Sequence, residues 1–444
     1  MYTNNSSTCQ LVNMSTRQLI TMKVKNITPC QVNVSSETGR LRAVLLHRPG
    51  VEIERMTPLN AAHCLYSDIL NKTSVDQEYS NFCGVLERWT NVYYVEDILE
   101  ELLRRDDIKT DLVRESVFHY GRRPVKQAGT TGDQLFDTLM EMDNVQLARV
   151  LIEGYENPEW DGSSEDRYLL EPLYNLFFTR DASSTVYNRV LINSMSFEVR
   201  ERETLIYEAI FRHFFGVELL NATQWNNKAR TEGGDVHIAS PDLLCLGEGI
   251  RTNAKGIEYL AQTFAREREH FNILVQELPF DPESFIHLDM VFTFLGRHQC
   301  MAFEPMLKKD GLFANKDTTL ISIDHGKISY NQVPNMVKGL ESLGWDIEPI
   351  IGGGSDPWVQ LREQWHSGAN FFSIGDGKII GYRRNVHTID ALDRAGFAVL
   401  NSEDIVSGKV NMEDYEKFVA TFPGAELPRA GGGARCMTMP ILRD

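Results

Sequence analysis

Lys378-Ile379-Ile380-Gly381-Tyr382 runs directly into Arg383-Arg384-Asn385, and the same pattern occurs twice upstream. Arg189-Val190-Leu191-Ile192-Asn193 leads into a polar segment with Arg200, and Leu243-Leu244-Cys245-Leu246-Gly247 leads into Gly249-Ile250-Arg251-Thr252-Asn253. Each is an apolar run of strand length, then a small or polar residue, then an arginine at the mouth of a segment with helical periodicity. Strands alternating with helices after residue 170 predict an α/β fold. Their shared ending predicts an internal repeat of β-β-α-like units around a central axis. Leu41-Arg42-Ala43-Val44-Leu45-Leu46-His47, stopped by Arg48-Pro49-Gly50, reads as one more buried strand ending in a turn.

Two stretches depart from this pattern. Residues from about 75 to 160 carry apolar positions at three- and four-residue spacing, as in Val95-Glu96-Asp97-Ile98-Leu99-Glu100-Glu101-Leu102-Leu103, and predict a helical insertion. Residues 1–36 are rich in Asn, Ser and Thr and predict a loosely held polar extension, with the globular part beginning at Glu37-Thr38-Gly39-Arg40.

Composition excludes several classes of function. The chain has 444 residues, 42% of them hydrophobic, so it can bury a large core. Its 62 acidic residues against 45 basic ones give a net charge of -17, which repels nucleic acid and anionic membrane surfaces and draws cations. The seven cysteines contain no C-x-x-C pair, so neither a zinc site nor a disulfide scaffold is expected. No apolar run reaches the roughly 18 residues of a membrane span. The N-terminus lacks the basic start and apolar stretch of a secretory signal, so a cytoplasmic, reducing compartment is expected.

The chemistry is concentrated in four places. Near the C-terminus, Arg429-Ala430-Gly431-Gly432-Gly433-Ala434-Arg435 presents Cys436 on a glycine track that lets a ligand lie close to the main chain. Asn175-Leu176-Phe177-Phe178-Thr179-Arg180-Asp181 ends an apolar run on a carboxylate, and Glu232-Gly233-Gly234-Asp235 sets two acids around a glycine pair. His287-Leu288-Asp289, bounded by apolar residues, would send both polar side chains to one face of a strand. Each has a plain structural reading: Asp181 as a cap, residues 232–235 as a hairpin turn, His287 as a core histidine, and Arg200 and Arg251 in solvated ion pairs. Taken together they suit a single task, attack on the carbon of a guanidinium. That reaction needs carboxylates to clamp the N–H groups (Asp181 and Asp289), a soft nucleophile (Cys436), and an acid for the departing nitrogen (His287). Glu232 is placed to orient the imidazole or a water. With a thiolate as nucleophile, neither metal nor cofactor is required.

These motifs resemble the arginine deiminase family of the guanidino-group-modifying superfamily. The likeness runs from Glu37-Thr38-Gly39-Arg40-Leu41-Arg42 to Met437-Thr438-Met439-Pro440. Between them it passes through Phe178-Thr179-Arg180-Asp181, Val199-Arg200-Glu201-Arg202-Glu203, Glu232-Gly233-Gly234-Asp235, His287-Leu288-Asp289, Arg362-Glu363-Gln364-Trp365 and Gly381-Tyr382-Arg383-Arg384-Asn385. The resemblance implies an α/β fold, a five-bladed propeller (pentein) of pseudo-fivefold ββαβ units with an inserted helical domain, and a homo-oligomer. It implies Cys436 as nucleophile, His287 and Glu232 as the acid/base pair, and Asp181 with Asp289 as guanidinium ligands. Arg200 and Arg251 would hold the substrate carboxylate, and Asn175 and Phe178 would line the pocket. The implied reaction is hydrolysis of L-arginine to L-citrulline and ammonia through a thiouronium on Cys436.

One departure is local to the nucleophile. Some members carry Arg five residues before the cysteine and His immediately before it, where this chain has Gly431 and Arg435. Arg429 or Arg435 is then a candidate for the substrate carboxylate, and another guanidino compound is a candidate substrate. An amidinotransferase uses the same residue set, and a guanidine-binding protein without turnover would share the clamp.

Overall fold

The three recurrent segments are the inner strands of three separate sheets. In the computed structural model, which describes residues 27–119, 132–162, 167–308, 312–313 and 316–444, Arg189–Ile192 lies between Ser183–Val186 and Leu219–Asn221. Leu243–Glu248 lies between Val236–Ser240 and His270–Glu277, and Lys378–Tyr382 between Phe372–Gly375 and Phe418–Phe422. In each case the strand before is antiparallel and the strand after is parallel. An antiparallel neighbour needs only a tight turn, whereas a parallel one needs a crossover. That crossover is helical: Glu203–Ala209, Ala254–Glu267 and Val386–Arg394 respectively. Enclosure on both faces explains why the inner strands read as unbroken apolar runs.

Two further sheets have the same order. Phe292–Phe294 pairs antiparallel with Gln299–Ala302, which pairs parallel with Glu348–Ile351. The two ends of the described chain meet in the last, where Leu41–Leu46 is antiparallel to Met439–Arg443 and parallel to Asn91–Tyr94. The fold is therefore mixed α/β, with an inner strand between one antiparallel and one parallel neighbour in five sheets, and the antiparallel pair a hairpin in four of them. The sheet around Leu243–Glu248 is widened by the hairpin Thr318–Asp324/Lys327–Val333.

The helical segment is shorter than its periodicity suggests. Lys72–Trp89 connects the parallel strands Leu41–Leu46 and Asn91–Tyr94 and buries Phe82, Leu86 and Trp89 in the same core as Phe418 and Phe422, so it belongs to the sheet layer. The helices Val95–Leu102, Asp106–Phe118, Gly132–Met140 and Asn144–Glu153 share a different core, with Ile98, Leu112, Leu139 and Leu151. A crossover helix and an inserted helix have the same 3.6-residue period, so spacing alone does not separate them. The expected loose extension also ends earlier than residue 36. Val32 and Val34 are buried, and Val34 exchanges backbone hydrogen bonds with Tyr187 at 2.9 and 3.0 Å. Residues 1–26 of that extension lie outside the described part.

Candidate active site

Ahead of one strand in each of these five sheets lies a polar residue. Asp181 precedes Ser183–Val186, Glu232 precedes Val236–Ser240, His287 and Asp289 precede Phe292–Phe294, Asn370 precedes Phe372–Gly375, and Cys436 precedes Met439–Arg443. All are buried. The chain reaches Cys436 through the turn Leu427–Ala430, which ends on Gly431 at φ +90°, a conformation other side chains rarely adopt.

Asn370 holds Cys436 in place. Its Oδ1 accepts from the backbone N–H groups of Arg435 (2.9 Å) and Cys436 (3.2 Å), and its Nδ2 donates to the Cys436 Sγ at 3.1 Å and to the Asp289 carbonyl at 3.2 Å. The Asp289 carboxylate lies 3.8 and 3.9 Å from Sγ. Burial pushes the thiol well above its ordinary value, and Asp289 and Asp181 push it further. In the free protein Cys436 is therefore a neutral thiol that a nearby cation would activate.

His287 Nε2 is 3.0 Å from Glu232 Oε2, and its Nδ1 faces Asp181 Oδ1 at 3.8 Å. That Nδ1 and that Oδ1 are both buried without a hydrogen-bond partner. Burial alone would push the imidazole down, but Asp181, Glu232 and Asp235 lift it to about 9. Burial would likewise raise Glu232, but Arg251 and then His287 hold it at about 2. At neutral pH the pair is imidazolium and carboxylate. The expected strand at His287 and Asp289 is instead a 3-10 turn, Leu288–Met290, begun by His287 and pinned where Asp235 Oδ1 accepts from Leu288 N–H at 2.8 Å. The two side chains still share one site, because the turn rather than a pleat brings them together. Gly234 makes room for this: a Cβ there would lie 2.3 Å from His287 Nδ1.

A cavity is lined by Asn175, Phe178, Asp181, Arg200, Arg251 and Cys436, among others. Its two arginines are committed to different degrees. Arg200 donates to Glu203 through Nε (3.0 Å) and Nη2 (2.8 Å) and to Asp181 Oδ2 through Nη1 (2.6 Å). Arg251 donates through Nη1 to Glu232, lies over the Phe197 ring, and keeps a buried Nε without a partner. Solvated ion pairs at these arginines are excluded by their burial. Arg435, a sequence candidate for substrate recognition, is in a different setting. It is 1% exposed, with Nη1 donating to Asp289 Oδ2 at 2.9 Å and Nε and Nη2 forked onto Glu37 at 3.2 and 3.1 Å. Arg429 is half-exposed and paired with Asp68. Asp181, Glu232 and His287 are also close enough to ligate a metal ion, but both carboxylates are already neutralised by arginines.

Sequence reading missed three residues of this site. Glu203 was visible in principle as the i+3 partner of Arg200. Glu37 and Asn370 are brought in by tertiary structure from 398 and 65 positions before Arg435, and no local spacing marks them.

Solved structures share this fold. Unliganded AgrE superposes with a TM-score of 0.51 at 12% identity, over 91% of this chain and 40% of its own length, so the chain spans less than half of AgrE. SxtG, an amidinotransferase from Microseira wollei, superposes at 0.50 and 14% identity, over 93% of this chain and 98% of that one. At such identity the likeness concerns the fold alone. Sequence likeness goes further. A sequence model of the arginine deiminase family matches residues 63–443. Arginine deiminases of Levilactobacillus brevis and Limosilactobacillus fermentum are 30% and 29% identical over 93% of the chain and 98% of their own lengths. The chain belongs to the arginine deiminase family.

Proposed function

We propose that this protein hydrolyses the guanidino group of L-arginine to give L-citrulline and ammonia. The observation that carries the reading is the pair of unpartnered buried atoms, Asp181 Oδ1 and His287 Nδ1, grouped with a carboxylate-flanked thiol. A buried acceptor without a donor is costly, and a guanidinium N–H removes that cost.

The bound cation clamped by Asp181 and Asp289 offsets the burial that keeps Cys436 protonated and favours its thiolate. Sγ attacks the guanidino carbon, a C–S bond forms, and the C–N bond to the terminal nitrogen breaks. The His287 imidazolium gives its proton to that nitrogen, which leaves as ammonia. His287, now neutral and oriented by Glu232, takes a proton from water as the water attacks the thiouronium carbon. The C–S bond then breaks, releasing citrulline and the thiol. Arg251, with its spare Nε, is the better fit for the substrate carboxylate, since Arg200 is spent on Glu203 and Asp181. The five like sheets are arranged around a pseudo-fivefold axis as a propeller, each contributing the residue before its first strand, and the helices of 95–153 are an insertion.

The test is product analysis with L-arginine, with and without glycine as an amine acceptor. Citrulline with equimolar ammonia and no need for acceptor is expected. Ornithine formed only with glycine would select an amidinotransferase. Cys436→Ala is expected to abolish ammonia release while keeping the wild-type melting curve; turnover in that variant would remove Cys436 from the mechanism.

A further inference from the structure

Away from the catalytic pocket, two imidazoles and a carboxylate meet at the tip of a hairpin. His270 opens the strand His270–Glu277, and Asp324 closes the strand Thr318–Asp324. The antiparallel register sets them directly opposite each other. His270 Nδ1 lies 2.9 Å from Asp324 Oδ1, and the His270 and His325 rings stand edge to face with centroids 5.0 Å apart. One ligand atom from each of the three residues fits within a sphere of contacts no wider than 4.8 Å.

The turn itself supports a reason for His325 being there. His325 and Gly326 are the two loop residues between Asp324 and Lys327, with φ +46° and +78°. A two-residue hairpin turn with both central residues at positive φ favours Asn-Gly or Asp-Gly, because those side chains tolerate the left-handed region most cheaply. An imidazole at the first of these positions gives up some turn stability. It is fixed there by its own N–H, which donates to the Glu269 carbonyl at 2.7 Å. This puts His325 beside His270 rather than out along the hairpin.

We propose that His270, Asp324 and His325 form a binding site for a divalent transition-metal ion. Two imidazoles and one carboxylate are the donor set that Zn2+, Ni2+, Co2+ and Cu2+ accept, with water completing the shell. The site differs from Asp181, Glu232 and His287 in that, among the described residues, no arginine is paired with its carboxylate, and Asp324 makes its contact with the His270 imidazole instead. Two paired strands carry His270 and Asp324 in fixed register and the adjoining turn carries His325, so binding needs side-chain rotation only. All three side chains are exposed, so the ion enters without unfolding anything, and it cross-links the start of one strand to the hairpin beside it.

Titration calorimetry of the whole protein with ZnCl2 and with NiCl2, in a non-coordinating buffer, tests this. The same titration is run on His270→Ala, His325→Ala and Asp324→Asn, with thermal melts alongside. The wild type should take up one ion per chain at this site and melt higher when loaded. Each histidine variant should bind at least tenfold more weakly and lose the metal-dependent rise in melting temperature, while its metal-free rate stays at the wild-type level. Equal affinity and stoichiometry in wild type and both histidine variants would overturn the proposal. So would zinc that competes with arginine equally in all of them, since the ion would then be on His287 and its carboxylates.

Discussion

Replacing Glu37 with Gln removes one charge from a chain of contacts that runs through Arg435 and Asp289 to the Cys436 thiol. Glu37 accepts from Arg435 Nε at 3.2 Å, from Arg435 Nη2 at 3.1 Å and from the Ile238 N–H at 3.2 Å. With two of its nitrogens held there, Arg435 has only Nη1 for Asp289, and it takes a single oxygen, Oδ2, at 2.9 Å. The other oxygen, Oδ1, faces Cys436 Sγ at 3.9 Å and is the one that the proposed guanidinium would meet. Both partners of Glu37 are buried. Burial would lower Arg435, but Glu37 and Asp289 raise it above its ordinary value, so it stays charged, while burial pushes the Asp289 carboxyl up. Burial would raise Glu37, but Arg435 holds it below the usual carboxylate range. In Glu37→Gln the amide NH2 meets the Arg435 Nε as donor against donor, and one charge-assisted hydrogen bond is lost, worth about 1.5–3 kcal/mol. Loss of the Nε contact lets the Arg435 guanidinium, still held through Nη2 by the Val236 carbonyl at 2.8 Å, shift toward the Asp289 carboxylate, in competition with a guanidinium bound there as proposed.

If the competition takes that same about 1.5–3 kcal/mol from substrate binding, KM rises roughly ten- to hundredfold. The turnover number falls less, because Cys436, Asn370 and His287 do not touch Glu37. Steady-state citrulline formation over a wide arginine range separates the two constants, and a thermal melt of the same sample reports the stability loss. The reasoning is refuted by a folded Glu37→Gln enzyme with wild-type KM. It is refuted equally if rate falls only in proportion to the unfolded fraction while KM stays fixed, because Glu37 would then be a stabilising residue and nothing more.

Asn370→Ala removes the amide that donates to Sγ and accepts from two backbone N–H groups, so kcat should drop by roughly ten- to hundredfold, from about 1.5–3 kcal/mol of lost orientation; an unchanged kcat in rapid-quench assays would mean that the glycine track positions the thiol unaided. The rate should also fall as pH rises through about 9, where His287 loses the proton it donates. Stability should follow the same limb. The folded value of His287 lies above its ordinary 6.5, so its contribution is complete below about 6.5 and disappears as pH passes 9. His47, buried between Glu52 and Glu96 and also lifted to about 9, acts in the same direction. A His47→Gln variant should therefore weaken the alkaline loss of melting temperature and leave the alkaline loss of rate in place.

What could be read from the sequence was what alternation and short motifs encode. The inner strands Arg189–Ile192, Leu243–Glu248 and Lys378–Tyr382 are apolar throughout because both their faces are covered, so they stood out without any partner strand. Cys436, His287, Glu232, Asp181 and Asp289 stood out because acids and a thiol set among glycines and apolar runs are costly unless used. The helix boundary at Lys72–Trp89 did not, since a crossover helix and an inserted one bury the same kind of stripe. Nor did the 3-10 turn at Leu288–Met290, whose geometry is set by the hydrogen bond from Leu288 to Asp235 rather than by its own residues.

The arginines that follow the inner strands have divergent fates: Arg200 and Arg251 line the cavity, whereas Arg383 is on the surface with Glu403. A buried polar residue a few positions ahead of Ser183–Val186, Val236–Ser240, Phe292–Phe294, Phe372–Gly375 and Met439–Arg443 is the more consistent marker, giving Asp181, Glu232, Asp289, Asn370 and Cys436. Like units that each enter on a buried polar residue can gather those residues in one site, so the entrance to every such strand is a place to look. Applied to Phe372–Gly375, that rule points to Asn370, which composition and spacing leave unmarked. Glu37 escapes even this rule. It lies ahead of the inner strand Leu41–Leu46 instead of an entering one, and only the pairing of that strand with Met439–Arg443 brings it to Arg435. A charged pair separated by almost the whole chain becomes visible only once the ends are known to close one sheet.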